Sequence, residues 1–223
     1  MPELISFVRG EGGPDLYFCA GHGEAEAVFA QLCQTVDAPF RLLAFSVEDW
    51  NRDLSPWPAP PVFHGQPFAG QAGATLSWLK TQMAPQASGR FIGGYSLAGL
   101  FSLWAFYETG LFSGAASCSG SLWFPGWDAY AQARSAPPGS ALYLSLGEKE
   151  PRARNPQMAR VGECTQRQFA LAQSQGMRAV FRWHPGGHFQ DPVGRMAQGF
   201  AWLVGEGIRV SRRAVTPFSA GSR

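Results

Sequence analysis

Short apolar runs of strand length alternate with longer runs in which the apolar positions recur at helical spacing. "DLYFCA" (15–20) and "FRLLAFSV" (40–47) read as buried strands, and "AEAVFAQLCQ" (25–34) between them reads as an amphipathic helix opened by the turn "GHGE". The same succession gives a helix over "ATLSWLKTQM" (74–83), a strand over "RFIGGYS" (90–96) and an amphipathic helix over "LAGLFSLWAFYETG" (97–110) that stops on Gly110. It continues as a strand over "FSGAASCSG" (112–120), a strand over "ALYLSLG" (141–147), one helix over 156–176, a strand over "RAVFRWHP" (178–185) and a last helix over "RMAQGFAWLVGEG" (195–207). This mainly βα order predicts an α/β fold with a mostly parallel, doubly wound sheet, helices on both faces, and ligands at the carboxyl ends of the strands. Residues 1–210 are expected to form one domain, and "SRRAVTPFSAGSR" (211–223) a flexible tail.

Two stretches break the rhythm. Residues 48–73 are dense in Pro, Gly and aromatic side chains and have no period, and "SLWFPGW" (121–127) is a second aromatic loop. Loops this long in a compact domain usually carry function or lack order, and their Trp and Phe content argues for order. Both follow strands, which puts Trp50, Trp57, Trp123 and Trp127 at the ligand end of the sheet. There they either pack beneath the loops or line an acyl or aromatic pocket; Trp50, Trp57 and Trp123 are the candidates for substrate contact.

Composition narrows the class further. Of 223 residues 45% are apolar and 15% charged, which suits a globular core, and the net charge of +2 with no long basic run gives no basis for a nucleic-acid partner. No run approaches a membrane span and the N-terminus has no apolar leader, so a cytoplasmic protein is expected. Cys19, Cys33, Cys118 and Cys164 are far apart, and the lone C-x-x-H of Cys19 and His22 has no second pair, so free thiols are expected and no metal. "GHG" after a strand also approaches a dinucleotide fingerprint. Glu26 at the third small position and the charge of Glu24 argue against a pyrophosphate there, so no cofactor is assigned.

The chemistry concentrates in Gly94-Tyr95-Ser96-Leu97-Ala98, an approximation to G-x-S-x-G in which a serine sits on a sharp strand-to-helix turn. Small neighbours are needed where strand and helix converge, and Ala98 is the smallest substitute for the usual glycine. The following helix offers its N-terminus to an oxyanion, with the Leu97 N–H as first donor. The loop after the first core strand supplies the second, from His22 or Gly23. Serine needs a base. His188, on the glycine loop "HPGGHF", is the candidate, with His184 four residues earlier as the competitor. The orienting acid is expected after "ALYLSL", where Glu150 has the G-x-x-acid spacing and Glu148 competes.

These segments resemble the esterase D and enterochelin-esterase branch of the α/β-hydrolase superfamily. The likeness rests on "GGYSLAGL", on "LFSGAASCSGSLWF", in which serine and tryptophan follow the next strand, and on "NRDLSPW", similar to an R-D-[LT]-[ST]-P loop; "GEKE" and "GGHF" extend it over most of Trp50 to Pro192. The chain departs from the pattern at Ala98 and in using Glu where many relatives have Asp. The resemblance implies a compact α/β-hydrolase fold without a separate lid domain, short of the first two strands, with an open or shallow site. It further implies hydrolysis of a small-molecule carboxylic ester or thioester through Ser96, His188 and Glu150 by way of an acyl-enzyme. An acyltransferase with the same triad and a non-catalytic hydrolase-like binding protein are the alternatives.

Overall fold

The computed structural model describes residues 3–21, 23–62, 65–84 and 88–215, with side chains as far as Glu206. Seven strands form the main sheet: β1 (Leu4–Arg9), β2 (Asp15–Cys19), β3 (Phe40–Phe45), β6 (Arg90–Tyr95), β7 (Gly114–Cys118), β8 (Ala141–Gly147) and β9 (Arg178–His184). Their spatial order is β1-β3-β2-β6-β7-β8-β9, and every pairing is parallel except β1 with β3. A small hairpin of β4 (Pro58–Ala59) and β5 (Phe68–Ala69) stands apart, within the aromatic excursion. The helices are α1 (Glu24–Thr35), α2 (Trp50–Asp53), α3 (Ala72–Thr81), α4 (Leu97–Thr109), α5 (Trp127–Gln132), α6 (Pro156–Ala159), α7 (Val161–Ser174) and α8 (Pro192–Val215).

Alternation along the central strands divides the core in two. Leu16 and Phe18 of β2 join Leu42, Phe91, Tyr143 and the α8 residues Met196, Phe200 and Leu203 on one face. Tyr17 and Cys19 join Leu43, Ile92, Leu144 and the α4 residues Leu100, Phe101 and Leu103 on the other. In the main sheet β2, β3, β6, β7 and β8 are buried almost throughout, as a sheet covered on both sides requires.

The structure departs from the sequence expectation at several elements. An antiparallel β1 caps the sheet edge beyond β3. It escapes pattern reading because half its residues face solvent without strict alternation. The helix expected to be amphipathic, α4, is buried on all sides from Leu97 to Tyr107, so its apolar content follows from being enclosed between the sheet and the aromatic loops. The single helix over 156–176 is two helices that meet at Arg160. The last helix begins earlier, at Pro192, and continues to Val215 through the first residues assigned to a tail; 216–223 lie outside the described residues. Among the described residues no helix is long and apolar enough to cross a membrane. Cys19, Cys118 and Cys164 are buried free thiols, and Cys33 is half-buried.

Glycines separate tight packing from open space. Gly205 lies inside α8 with no atom of the described residues, outside the helix's own backbone and its chain neighbours, within 4 Å of where a Cβ would stand. Gly205→Ala is therefore expected to stabilise the protein by about 0.5–1 kcal/mol, read as a higher urea midpoint.

Candidate active site

Four neighbouring strands end at one edge, and the residues just past their ends meet there. Tyr95, the last residue of β6, is in register with Cys118 of β7, and Ser145 of β8 follows that cysteine across the sheet. The ladder continues past the strands, Ser96 N–H donating to Cys118 O (3.1 Å) and Ser119 N–H to Ser145 O (2.8 Å). Gly147 and His184 are likewise in register, and Glu148 N–H donates to His184 O (2.9 Å) and Lys149 N–H to Gly186 O (3.0 Å). Two parallel chains that leave the sheet side by side thus deliver Glu150 and His188 to one point.

Ser96 occupies the turn itself, at φ 57° and ψ −122°. This conformation is rare for a residue with a Cβ and costs about 1–3 kcal/mol, supplied by the packing around it. A Cβ on Gly94 would stand 2.3 Å from the carbonyl oxygen of Ala98, and one on Gly99 2.9 Å from that of Gly94. The methyl group of Ala98 is buried without conflict, so the departure from glycine at that position is accommodated. Gly94→Ala, by contrast, is expected to force the turn open, costing about 1–3 kcal/mol in urea unfolding and abolishing the reactivity of Ser96.

The side chains form a hydrogen-bonded chain. His188 Nε2 lies 3.0 Å from Ser96 Oγ, and His188 Nδ1 lies 2.7 Å from Glu150 Oε2. The other carboxylate oxygen, Oε1, accepts from Ser119 O–H (2.7 Å), Gly147 N–H (2.7 Å) and Arg195 Nη1 (3.2 Å). Burial pushes Glu150 up, but the hydrogen bonds from His188, Ser119 and the Gly147 amide outweigh it and hold the carboxyl below its ordinary value. An ionised acceptor therefore faces Nδ1 and favours the tautomer with hydrogen there, leaving Nε2 free to accept from serine.

Glu148 is exposed and His184 stands apart from the chain. Burial and then the charge of Arg195 hold His184 below the usual histidine range, and its Nε2 is buried without a partner among the described residues. Leu97 opens α4, where its N–H has no intrahelical acceptor. β2 is the neighbour of β6, with Cys19 in register with Gly94, so the loop after β2 is next to the turn. Gly23 of that loop is the N-cap of α1 at φ 73°, whereas the Gly21 N–H is taken by the Glu24 carboxylate (2.8 Å). His22 lies outside the described residues.

A cavity of about 660 Å³ opens on Ser96 and His188. The expected open or shallow site is instead walled by two segments, one carrying Asn51, Val62 and Phe68 from the aromatic excursion and the other Asn155, Met158 and Val161 from the chain after β8. Asn155 joins the walls, donating to Val62 O (2.7 Å). "NRDLSPW" anchors the first wall: Ser55 O–H donates to Asn51 O (2.6 Å), and Gly70 N–H to Ser55 Oγ (2.9 Å). Of the three candidate tryptophans only Trp123 lines the cavity. Trp57 donates its indole N–H to Pro125 O (2.8 Å) and meets the Phe124 ring edge-on and the Tyr130 ring at a tilt, and Trp50 packs against the core at the start of α2. Loop Trp residues contribute packing area wherever they sit, so their position in the sequence alone does not separate lining from core. Trp127 is buried, with its N–H on Gln168.

Sequence reasoning missed three contributors. Ser119 aims its hydroxyl at Glu150 from a left-handed φ of 47°, which no sequence pattern announces. Phe189, 93% exposed, meets the His188 ring edge-on at the cavity mouth. Arg195 did leave a signal, being a cation on the buried stripe of α8, in line with Gly199 and Leu203.

The architecture is the α/β-hydrolase fold, with the serine turn after β6 and the histidine loop after β9. Solved structures that resemble it include an IroE-like serine hydrolase from Shewanella oneidensis, with TM-score 0.73 and 15% identity over 92% of this chain and 76% of the other. The siderophore hydrolase EstA from Aspergillus nidulans matches with TM-score 0.65 and 15% identity over 92% and 90%. The enterobactin esterase Fes from Shigella flexneri matches with TM-score 0.63 and 19% identity over 95% of this chain and 55% of its own. No family model and no curated protein matches the sequence.

Proposed function

We propose that the protein is a serine hydrolase of small-molecule carboxylic esters or thioesters. Ser96 attacks the carbonyl, His188 takes its proton and later returns it to the leaving group, and Glu150 orients and stabilises the imidazolium. The acyl-enzyme on Ser96 is then hydrolysed by water that His188 activates in the same way. The observation that carries this reading is the continuous contact from Ser96 Oγ through His188 to Glu150, at 3.0 and 2.7 Å, at the mouth of a 660 Å³ cavity. The amides of Leu97 and Gly23 are the oxyanion donors of this reading.

The similar structures named for siderophore and enterobactin hydrolysis support a small-molecule ester as the substrate. The cavity accords with it. Trp123, Phe68 and Met158 offer apolar and aromatic surface, and Lys149 and Arg154 line it with positive charge. A fluorophosphonate probe tests the nucleophile: labelling is expected at Ser96 alone, because only a base-activated hydroxyl reacts quickly. A protein that resists the probe and leaves activated esters of every acyl length intact is not this enzyme.

A further inference from the structure

Arg195 has a buried guanidinium, 1% exposed, in the first turn of α8. A cation there opposes the helix dipole and is costly to desolvate, so packing alone does not explain it. Its donors reach all four segments that carry the site. Nη1 donates to the hydroxyl of Tyr95, the residue before Ser96 (3.0 Å), to Ser119 Oγ (3.0 Å) and to Glu150 Oε1 (3.2 Å). Nη2 donates to the carbonyls of Pro185 (3.1 Å) and Gly187 (3.0 Å) in the histidine loop. Tyr95 closes the circuit by donating its hydroxyl to the carbonyl of His188 itself (2.6 Å).

We propose that Arg195 is a positioning residue: its guanidinium fastens the histidine loop to the serine turn and to the acid, and so fixes His188 between Ser96 and Glu150. This rests on the hydrolase reading above and deepens it. A planar fork with five N–H groups suits the task, whereas a lysine ammonium offers three donors from one point and cannot span both Glu150 and the loop carbonyls in this geometry. His188 sits on a loop whose glycines, Gly186 and Gly187, give it freedom, so its registry has to come from such contacts. Arg195 has a second effect through charge. It shares the Glu150 carboxylate with His188, so part of the negative charge available to the imidazolium is offset by a buried cation.

The titratable and charged groups around Arg195 and His188 include Glu150, Tyr95, Cys118, Tyr143, His184 and Asp191, with Lys149 and Arg154 on the cavity that His188 lines. Burial pushes both Tyr95 and Cys118 up to about 12, which leaves them neutral where the enzyme works. Asp191 caps α8 through Gly194 N–H, and His184 is held below its ordinary range.

The test compares Arg195→Met, Arg195→Lys and Tyr95→Phe with the wild type on an activated ester, with folded fraction measured by circular dichroism. Arg195→Met is expected to lower kcat at least about a hundredfold with KM within about threefold, since a small misplacement of a catalytic group has that effect. Its acid limb in kcat/KM should move to higher pH, because the imidazolium is then opposed by one cation fewer and protonates more readily. Arg195→Lys keeps the charge and loses the fork. It should lose kcat and keep the limb in place, a split that a merely structural role does not produce. Tyr95→Phe removes one hydroxyl and should lower kcat about tenfold, which keeps the proposal testable if Arg195→Met does not fold. Folded variants that retain kcat to within threefold, or lose it with no difference in pH profile between Met and Lys, overturn the proposal while fluorophosphonate labelling of wild-type Ser96 still upholds the hydrolase. Absence of that labelling overturns both.

Discussion

Ser96→Ala is expected to leave a folded protein whose ester turnover is lower by at least about a thousandfold. The fold should survive because the hydroxyl has little structural work: α4 takes no side-chain cap from Ser96, and the Oγ contact is with His188. Alanine keeps the Cβ that the turn already accommodates at φ 57°, and the backbone contacts of the turn, such as Ser121 N–H to Ser96 O (3.0 Å), are unchanged. Chemistry should be lost because, among the described residues, no other hydroxyl is matched to an imidazole in the same way. Ser119 O–H is directed at Glu150, and Ser117 is buried within β7. His188→Ala should be as damaging, and the double variant little worse than either, because nucleophile and base act as one unit. Turnover that persists in folded Ser96→Ala would remove serine catalysis from the site; additive losses in the double variant would separate the two residues.

How much of this could be read from the sequence follows from what each feature depends on. The serine turn was legible because its constraint is local: residues 94, 98 and 99 must be small where backbone meets backbone, and the contacts of Gly94 and Gly99 bear that out. The central strands were legible because burial on both faces makes them continuously apolar, and Glu150 and His188 are close in space because each lies just past one of a pair of parallel strands whose last residues, Gly147 and His184, are in register. Features set by the third dimension were not legible. β1 depends on pairing with β3, the walls of the cavity on a contact between Asn155 and Val62 that spans 93 positions, and the ring of Arg195 contacts on residues as much as 100 positions apart. The tryptophans failed for a related reason, since an aromatic side chain on a loop beside a site is equally suited to supporting the loop, as Trp57 does, or facing the ligand, as Trp123 does.

Glu150→Gln is expected to lower turnover by about ten-thousandfold, the scale on which a triad fails when its acid becomes an amide. Both orientations of the amide go wrong. If its NH2 faces Nδ1, the imidazole must accept there and carry its hydrogen on Nε2, where it can no longer take the serine proton. If its oxygen faces Nδ1, the NH2 meets the donors Ser119, Gly147 N–H and Arg195 that now surround Oε1, and the imidazolium has lost its counter-charge. The buried Arg195 also loses its partner, a change that costs about 3–5 kcal/mol in comparable pairs, so turnover has to be normalised to the folded fraction. The pH dependence of the wild type follows from the same contacts. Glu150 is held below its ordinary value, so the stability it contributes is complete above the unfolded glutamate range and is lost only as pH falls through the lowered value. In the Gln variant that acid-side loss should be smaller. Glu148→Gln changes an exposed side chain whose backbone alone bonds to His184, and turnover should move by less than about tenfold. Reversed outcomes would make Glu148 the acid, and two active variants would reduce the machinery to a Ser96–His188 pair in which the carboxylate at 2.7 Å from Nδ1 serves the fold and not the reaction.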